Sequence, residues 1–199
     1  MGEPKFPDWE MLYRDQDVNK MPWFTPVLDP DFAETLKSFN LRSGRVLDLG
    51  TGPGTQAIAL AKIGFEVVAS DISGTAVKKA EALAQQKSLT IRFVQDDILA
   101  TKLEAPFDIV FDRGIFHIFP PAERPAYVRS VRGLLKEGGY LFLKCFSDQE
   151  PPGEGPYRLS EADLRGALEP AFKVRTVRAT LFEGVRQPKP HAFFCVLQK

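Results

Sequence analysis

Asp48, Gly50, Gly52 and Gly54 recur at every second position where an apolar stretch, Val46-Leu-Asp-Leu, breaks into a turn that opens the helix-like run Thr55 to Lys62. Glycines at such a junction let the backbone come close to a ligand, and the helix amino terminus offers unpaired N–H groups and a positive dipole end. A second acid, Asp71, ends the next apolar stretch 23 residues beyond Asp48, near the ~20-residue offset of a carboxylate that holds two ribose hydroxyls. Together they predict a nucleotide-like ligand. The dinucleotide fingerprint places its glycines as GxGxxG, whereas here the sixth position is Thr55 and the glycines fall as GxGxG, which departs from the NAD pattern.

These residues need elements to hold them. From Arg45 onward, apolar runs of strand length (Val46–Leu49, Glu66–Ser70, Thr90–Val94, Phe107–Phe111, Tyr140–Phe146) alternate with helical segments (Thr55–Lys62, Ser73–Gln86, Pro121–Leu135). That alternation predicts right-handed crossovers and a parallel sheet covered on both faces, a doubly wound α/β core. After a Pro/Gly-rich loop, Ser147 to Tyr157, the run Ser160-Glu-Ala-Asp163 resembles a capping box opening a short helix. Lys173–Phe182 and His191–Leu197 close the chain, joined by too few residues for a helical crossover, so they should pair antiparallel. Residues 1–44, with Trp9, Tyr13, Trp23 and Phe24 among acids and prolines, read as one or two helices packed across the sheet's edge or mouth. The expected organisation is one domain over 1–199, with 1–44 as a helical lid and 45–199 as the core.

Composition narrows the function. The 199 residues are 44% hydrophobic and 26% charged, ordinary for a globular domain long enough to bury one continuous core. Twenty-six basic against 26 acidic side chains leave no positive field for phosphate backbones, so nucleic acid is not an expected partner. Charge is uneven, with 8 acids and 4 bases in residues 1–40 and the reverse in 158–199; ends that simply face solvent or one another are the simpler reading, a modest basic patch the alternative. The polar, acidic start, Met1 to Asp17, lacks the pattern of an export leader, and no apolar run approaches a bilayer span. A cytoplasmic protein without membrane contact is expected, as monomer or homodimer. Cys145 and Cys195 lie in apolar runs without metal-ligand spacing and read as small buried hydrophobes, and no metal is expected.

The acid-x-Gly-x-Gly-x-Gly run resembles motif I of class I S-adenosylmethionine (SAM)-dependent methyltransferases, and similar segments extend from Trp9 to the carboxy terminus. The resemblance implies a Rossmann-like sheet of seven strands, order 3-2-1-4-5-7-6 with strand 7 antiparallel. It implies SAM as cofactor and S-adenosylhomocysteine (SAH) as product, held by Asp48, Gly50, Thr51, Gly52 and Gly54. Asp71 would bind the ribose and Ile72 pack on the adenine. Phe93-Val-Gln-Asp-Asp97-Ile98 resembles the third motif, with Asp97 rather than Asp96 on the adenine amino group and Ile98 beside it. Phe107 to Gly114 resembles the fourth-strand motif that faces the methyl group, and Leu135 to Tyr140 the "LKPGG" turn into the fifth strand.

Asp112-Arg113-Gly114, with Trp9-x-x-x-Tyr13 and Pro22-Trp23, is most similar to the thiopurine, thiol and tellurite-resistance methyltransferases. In that group the arginine lies by the cofactor carboxylate and an amino-terminal aromatic lid covers the sulfonium. Arg113 then binds the methionine carboxylate bidentately, or else forms a structural salt bridge. Tyr13 and Trp23 offer π faces to the sulfonium, or else pack an added helix. His117, one turn beyond Arg113, is the candidate general base, with a satisfied loop histidine as the alternative. The acceptor pocket is expected under the Ser147–Leu159 loop and the lid, walled by Phe116, Phe119, Phe146 and Tyr157.

The segment after the fourth strand, Asp112-Arg-Gly-Ile-Phe-His117, lacks the Asn/Asp-Pro-Pro-Tyr of nucleic-acid amino-methylating enzymes, so a small-molecule acceptor is expected, a thiol or other soft nucleophile. O- or N-methylation of a small apolar metabolite, an NAD-dependent oxidoreductase and a non-catalytic SAM-binding module are the alternatives.

Overall fold

A computed structural model of the chain describes residues 6–199. The sheet consists of β1 (Arg45–Leu49), β2 (Glu66–Asp71), β3 (Arg92–Gln95), β4 (Phe107–Arg113), β5 (Leu135–Phe146), β6 (Lys173–Leu181) and β7 (His191–Gln198), in the order β3-β2-β1-β4-β5-β7-β6. Pairing is parallel from β3 through β5, and β7 runs antiparallel to both β5 and β6. The expected order and the expected direction of the seventh strand are both present.

The helices are α1 (Trp9–Asp15), α2 (Pro30–Ser38), α3 (Thr55–Lys62), α4 (Gly74–Gln86), α5 (Arg124–Leu134) and α6 (Glu161–Leu168). Alternate residues of each central strand feed two apolar layers. On one face Leu47, Val110, Leu141, Leu143 and Cys145 meet Tyr127 and Val131 of α5 and Leu164 of α6. On the other, Val46, Ile109, Phe111 and Phe142 meet α3 and α2. Cys145 and Cys195 are both buried, and burial pushes the Cys195 thiol up to about 12 and Cys145 well above its ordinary value.

The amino-terminal segment splits between two places. Its first part, α1 with the 3-10 turn Val18–Lys20, packs against α4, with Tyr13 and Met21 buried on Ala76, as expected of a cover for the sheet's mouth. Helix α2 instead joins the face layer: Phe32 and Leu36, one turn apart, are buried, and the Phe32 ring stacks on Phe111 at 4.0 Å. This corrects the expectation that all of 1–44 lies across edge or mouth. Asp29 caps α2 on the Asp31 amide, with Pro30 in its first turn.

Other boundaries moved for local reasons. Helix α5 begins at Arg124 rather than Pro121, because Pro120 to Glu123 form a turn closed by Glu123 N–H on the Pro120 carbonyl at 3.0 Å. Strand β5 reaches back to Leu135 across a register shift opposite Phe107–Ile109, so the Gly138-Gly139 turn is absorbed into the strand. The capping box at Ser160 and Asp163 is formed in both directions.

Candidate active site

The carboxyl ends of β1, β2, β3 and β4 bring the sequence-selected residues to one rim of the sheet. The glycine-rich loop that leaves β1 turns because Gly50, Gly52 and Gly54 have φ of +68°, +51° and +77°. Each also meets a close neighbour. A Cβ on Gly50 would collide with the Ile115 side chain, one on Gly52 would lie 2.5 Å from Tyr13 Oη, and one on Gly54 would lie 2.7 Å from Ala80 Cβ. The loop is therefore squeezed between the β4–α5 connection, α1 and α4.

Asp48 builds this loop from beneath. Its Oδ2 accepts the Thr51 hydroxyl at 2.6 Å and the Ala57 amide at 3.1 Å, which ties the loop to the first turn of α3. Burial raises its pKa to about 6 against those hydrogen bonds. Asp71 serves the loop from the side, its Oδ2 accepting from Gly52 N–H at 2.8 Å and its Oδ1 from Ser73 N–H at 2.9 Å. Burial raises the Asp71 pKa as well. Beside it Ile72 is 51% exposed, a large apolar side chain without a cover at the place assigned to an adenine. At the end of β3, Asp97 caps the Leu99 amide and its residue is exposed, while Asp96 accepts the Lys102 amide with one oxygen and leaves the other buried without a partner.

Three assignments need correcting. The Asp112 carboxylate turns inward, accepting from the Ile115 and Phe116 amides at 2.7 and 2.9 Å and from the Tyr127 hydroxyl at 2.5 Å, with its pKa raised to about 6 by burial. It shapes the β4–α5 connection instead of facing a cofactor. Ile98 likewise points into the core. His117 is buried, and its Nδ1 accepts the Phe146 N–H at 2.9 Å, so the lone pair a base would use is occupied. Burial lowers its pKa to about 3. His117 is the satisfied loop histidine, wedged edge-on against Phe146 and stacked on Phe182.

Arg113 takes the structural alternative. Its Nε donates to Asp29 Oδ2 at 3.0 Å, one terminal nitrogen to the Trp23 carbonyl at 3.0 Å and the other to the Glu183 carbonyl, and the guanidinium lies 4.7 Å above the Phe182 ring. The arginine thus gathers the segment before α2 and the β6–β7 loop over β4. That loop meets the same segment directly: Val185 N–H donates to the Pro22 carbonyl, and a Cβ on Gly184 would collide with that carbonyl. Beneath them Lys144 bridges Asp29 at 2.8 Å and Asp31 at 2.7 Å, all three buried. Neither this cluster nor Glu10, which accepts from the Ser73 hydroxyl and the Thr75 amide and so fastens α1 to the start of α4, was found from sequence. A lysine interrupting the apolar run of β5 and the Asp-Pro-Asp start of α2 were the available signals.

Tyr13 is buried with its hydroxyl over Gly52, and burial together with Asp71 raises its pKa. Trp23 lies edge-on to Trp9 at 6.0 Å. Of the expected acceptor walls, Phe119 and Tyr157 line a cleft of about 330 Å³ with Trp9. Phe116 instead belongs to the core beside Tyr127, and Phe146 packs on His117 and Phe182. Among the described residues no group of three or more acids, histidines and cysteines could hold a metal, and no helix is long and apolar enough to cross a membrane.

Comparison with known proteins shows the chain's family. Residues 46–139 match the family described as "Methyltransferase domain". A probable thiol methyltransferase 2 of Arabidopsis thaliana is 31% identical over 174 residues, 85% of this chain and 75% of that protein. The chain belongs to the class I SAM-dependent methyltransferases. A 2-heptyl-1-hydroxyquinolin-4(1H)-one methyltransferase of Mycobacteroides abscessus is 30% identical over 79% of this chain and 72% of its own. A solved structure from work on the conversion of a disulfide bond into a thioacetal group during echinomycin biosynthesis superposes with a TM-score of 0.84 at 25% identity, covering 96% of this chain and 91% of that one. This methyltransferase uses SAM and a small-molecule acceptor, and the NAD-dependent and non-catalytic alternatives fall with that finding.

The rim fits the cofactor on its own terms. An uncovered Ile72, a buried Asp96 oxygen without a partner and a glycine loop that tolerates no side chain are features a nucleoside ligand would use.

Proposed function

We propose that this methyltransferase transfers its methyl group to the sulfur of a small thiol, or to another soft nucleophile. The observation that carries the reading is His117: the histidine beside the mouth of β4 has its Nδ1 engaged by the Phe146 amide and is kept neutral by burial. A hydroxyl or amine acceptor often needs a base, whereas a thiolate forms readily near neutral pH and needs none. The similarity to the Arabidopsis thiol methyltransferase supports the same choice.

In this reading Asp71 and Ile72 hold the ribose and adenine, Asp97 and the Ile98 backbone the adenine edge, and the Gly50–Gly54 loop with Thr51 the amino-acid end. The described part of the amino-terminal segment before α2 closes over them as a lid through Tyr13 and Trp23. SAM held by these residues would supply the methyl of its sulfonium for in-line transfer to the acceptor, with SAH as the leaving group. The chain's part is to align the acceptor and exclude water, and positioning of this kind can be worth ~7–11 kcal/mol. Arg113 acts as a positioning residue that clamps the lid segment to the β6–β7 loop.

Matched acceptors test the sulfur assignment. Thiophenol should release SAH at least about tenfold faster than phenol at pH 7, where far more of the thiol is ionised. Equal rates, or a preference for phenol, would overturn it in favour of O-methylation.

A further inference from the structure

The loop that leaves β5, Ser147 to Leu159, is closed upon itself. The Asp148 N–H donates to the Leu159 carbonyl at 3.0 Å and the Leu159 N–H to the Phe146 carbonyl at 3.1 Å, so its two ends are fastened together. Half-buried Arg158 fills its interior, donating to the carbonyls of Pro151, Gly153 and Pro156 at 3.2, 3.0 and 2.8 Å. A loop packed on its own side chain in this way keeps its shape as one piece. It carries Tyr157, whose amide donates to the His117 carbonyl at 2.8 Å and whose residue lines the cleft of about 330 Å³ together with Trp9 of α1.

Glu150 docks this piece on the β6–β7 hairpin. The residue is buried, its Oε1 accepting from the Arg186 guanidinium and its Oε2 from the His191 N–H, both at 2.8 Å. Parting the loop from the hairpin would strand that carboxylate without its partners, so the two stay docked. Val185, next to Arg186, donates its own N–H to the Pro22 carbonyl at 3.1 Å, and Arg113 takes the carbonyls of Glu183 and Trp23. Trp23 in turn lies edge-on to Trp9. Tyr157 and Trp9 thus wall one cleft from distant segments that are tied a second time through the β6–β7 loop. We infer that Glu150 is a positioning residue that couples the acceptor side of the site to the lid, so that closure over the cofactor also fixes the wall that carries Tyr157. Glu150 touches neither ligand in this assignment. The inference rests on the proposed seat of the cofactor beneath the lid and goes beyond it by naming the residue that links the two halves of the site.

Amide hydrogen exchange followed by NMR, with and without saturating SAH, tests the coupling, and calorimetry on the same samples shows that SAH is bound. In wild type, SAH should slow exchange at Trp23 and Phe24 and also, at least about fivefold, at Asp148 and Tyr157. Glu150→Gln keeps the shape and an acceptor for His191 but loses the charge that holds Arg186. It should shrink the SAH-dependent factor at Asp148 and Tyr157 to under about twofold and leave the factor at Trp23 and Phe24 in place. Arg186→Met should do the same with Glu150 intact, whereas Arg186→Lys, which keeps the charge, should hold the factor above about threefold. A merely structural Glu150 would speed exchange in the loop equally with and without SAH and leave the ratio unchanged. Protection of Trp23 and Phe24 without protection of the loop in wild type, or an unchanged ratio in both Glu150→Gln and Arg186→Met, overturns the coupling. SAH that binds yet protects neither Trp23 nor Phe24 would instead sink the seat beneath the lid, and the coupling with it.

Discussion

Lys144 shows how much one buried residue organises here. Its ammonium is 1% exposed and held between Asp29 and Asp31, while Arg113 shares Asp29 from the other side. Removing the lysine leaves buried carboxylate charge without its partner, so Lys144→Met should cost about 3–5 kcal/mol in urea unfolding; a loss under about 1 kcal/mol would mean the cluster rearranges freely. His117 supplies a pH signature. Burial lowers its pKa from the ordinary 6.5 to about 3, so its contribution is fully present above 6.5 and is lost as pH falls through about 3. Wild type should therefore lose about 1.4 kcal/mol more per pH unit than His117→Gln between those values. Parallel pH curves would refute the buried neutral ring. Asp48 and Asp112 act with the opposite sign: raised from 3.8 to about 6, their contributions are present below 3.8 and are lost as pH rises through about 6. At this scale the sequence showed which residue types cluster at the rim. It could not show that Arg113 finds Asp29, 84 residues earlier, or that Asp112 turns inward to Tyr127, because those choices depend on burial that only the folded chain defines.

Among the elements, the segment before α2 and the β6–β7 loop interlock at Gly184, which lies against the Pro22 carbonyl. Gly184→Val should force them apart, costing about 1–3 kcal/mol and raising hydrogen exchange at amides 9–24 with little change in β1 to β5. Unchanged exchange there would separate the lid from the hairpin. Helix α2 makes the complementary case, since Phe32→Ala removes a ring stacked on Phe111 and should cost about 3–5 kcal/mol throughout the sheet. Strands and crossover helices were legible because their periods differ and glycines or caps mark their ends, as at Ser73 and Ser160. The place of α2 was not, because its Phe32/Leu36 stripe fits any apolar surface and only the order of the fold puts the sheet face beneath it.

Across the whole molecule, the parallel pairing of β1 to β4 within the seven-stranded order brings their carboxyl ends to one rim, where we propose that the cofactor binds. The central claim is that Asp71 and the glycine loop hold SAM there. Calorimetric titration with SAH, on wild type and Asp71→Asn, tests it most directly, because asparagine keeps the size of the aspartate while removing its charge and one acceptor. Wild type should bind SAH, and Asp71→Asn should bind it at least about tenfold more weakly, the equivalent of about 1.4 kcal/mol, with an unchanged circular dichroism spectrum. Equal affinities in the two proteins, or no SAH binding by wild type, would contradict this account of the site.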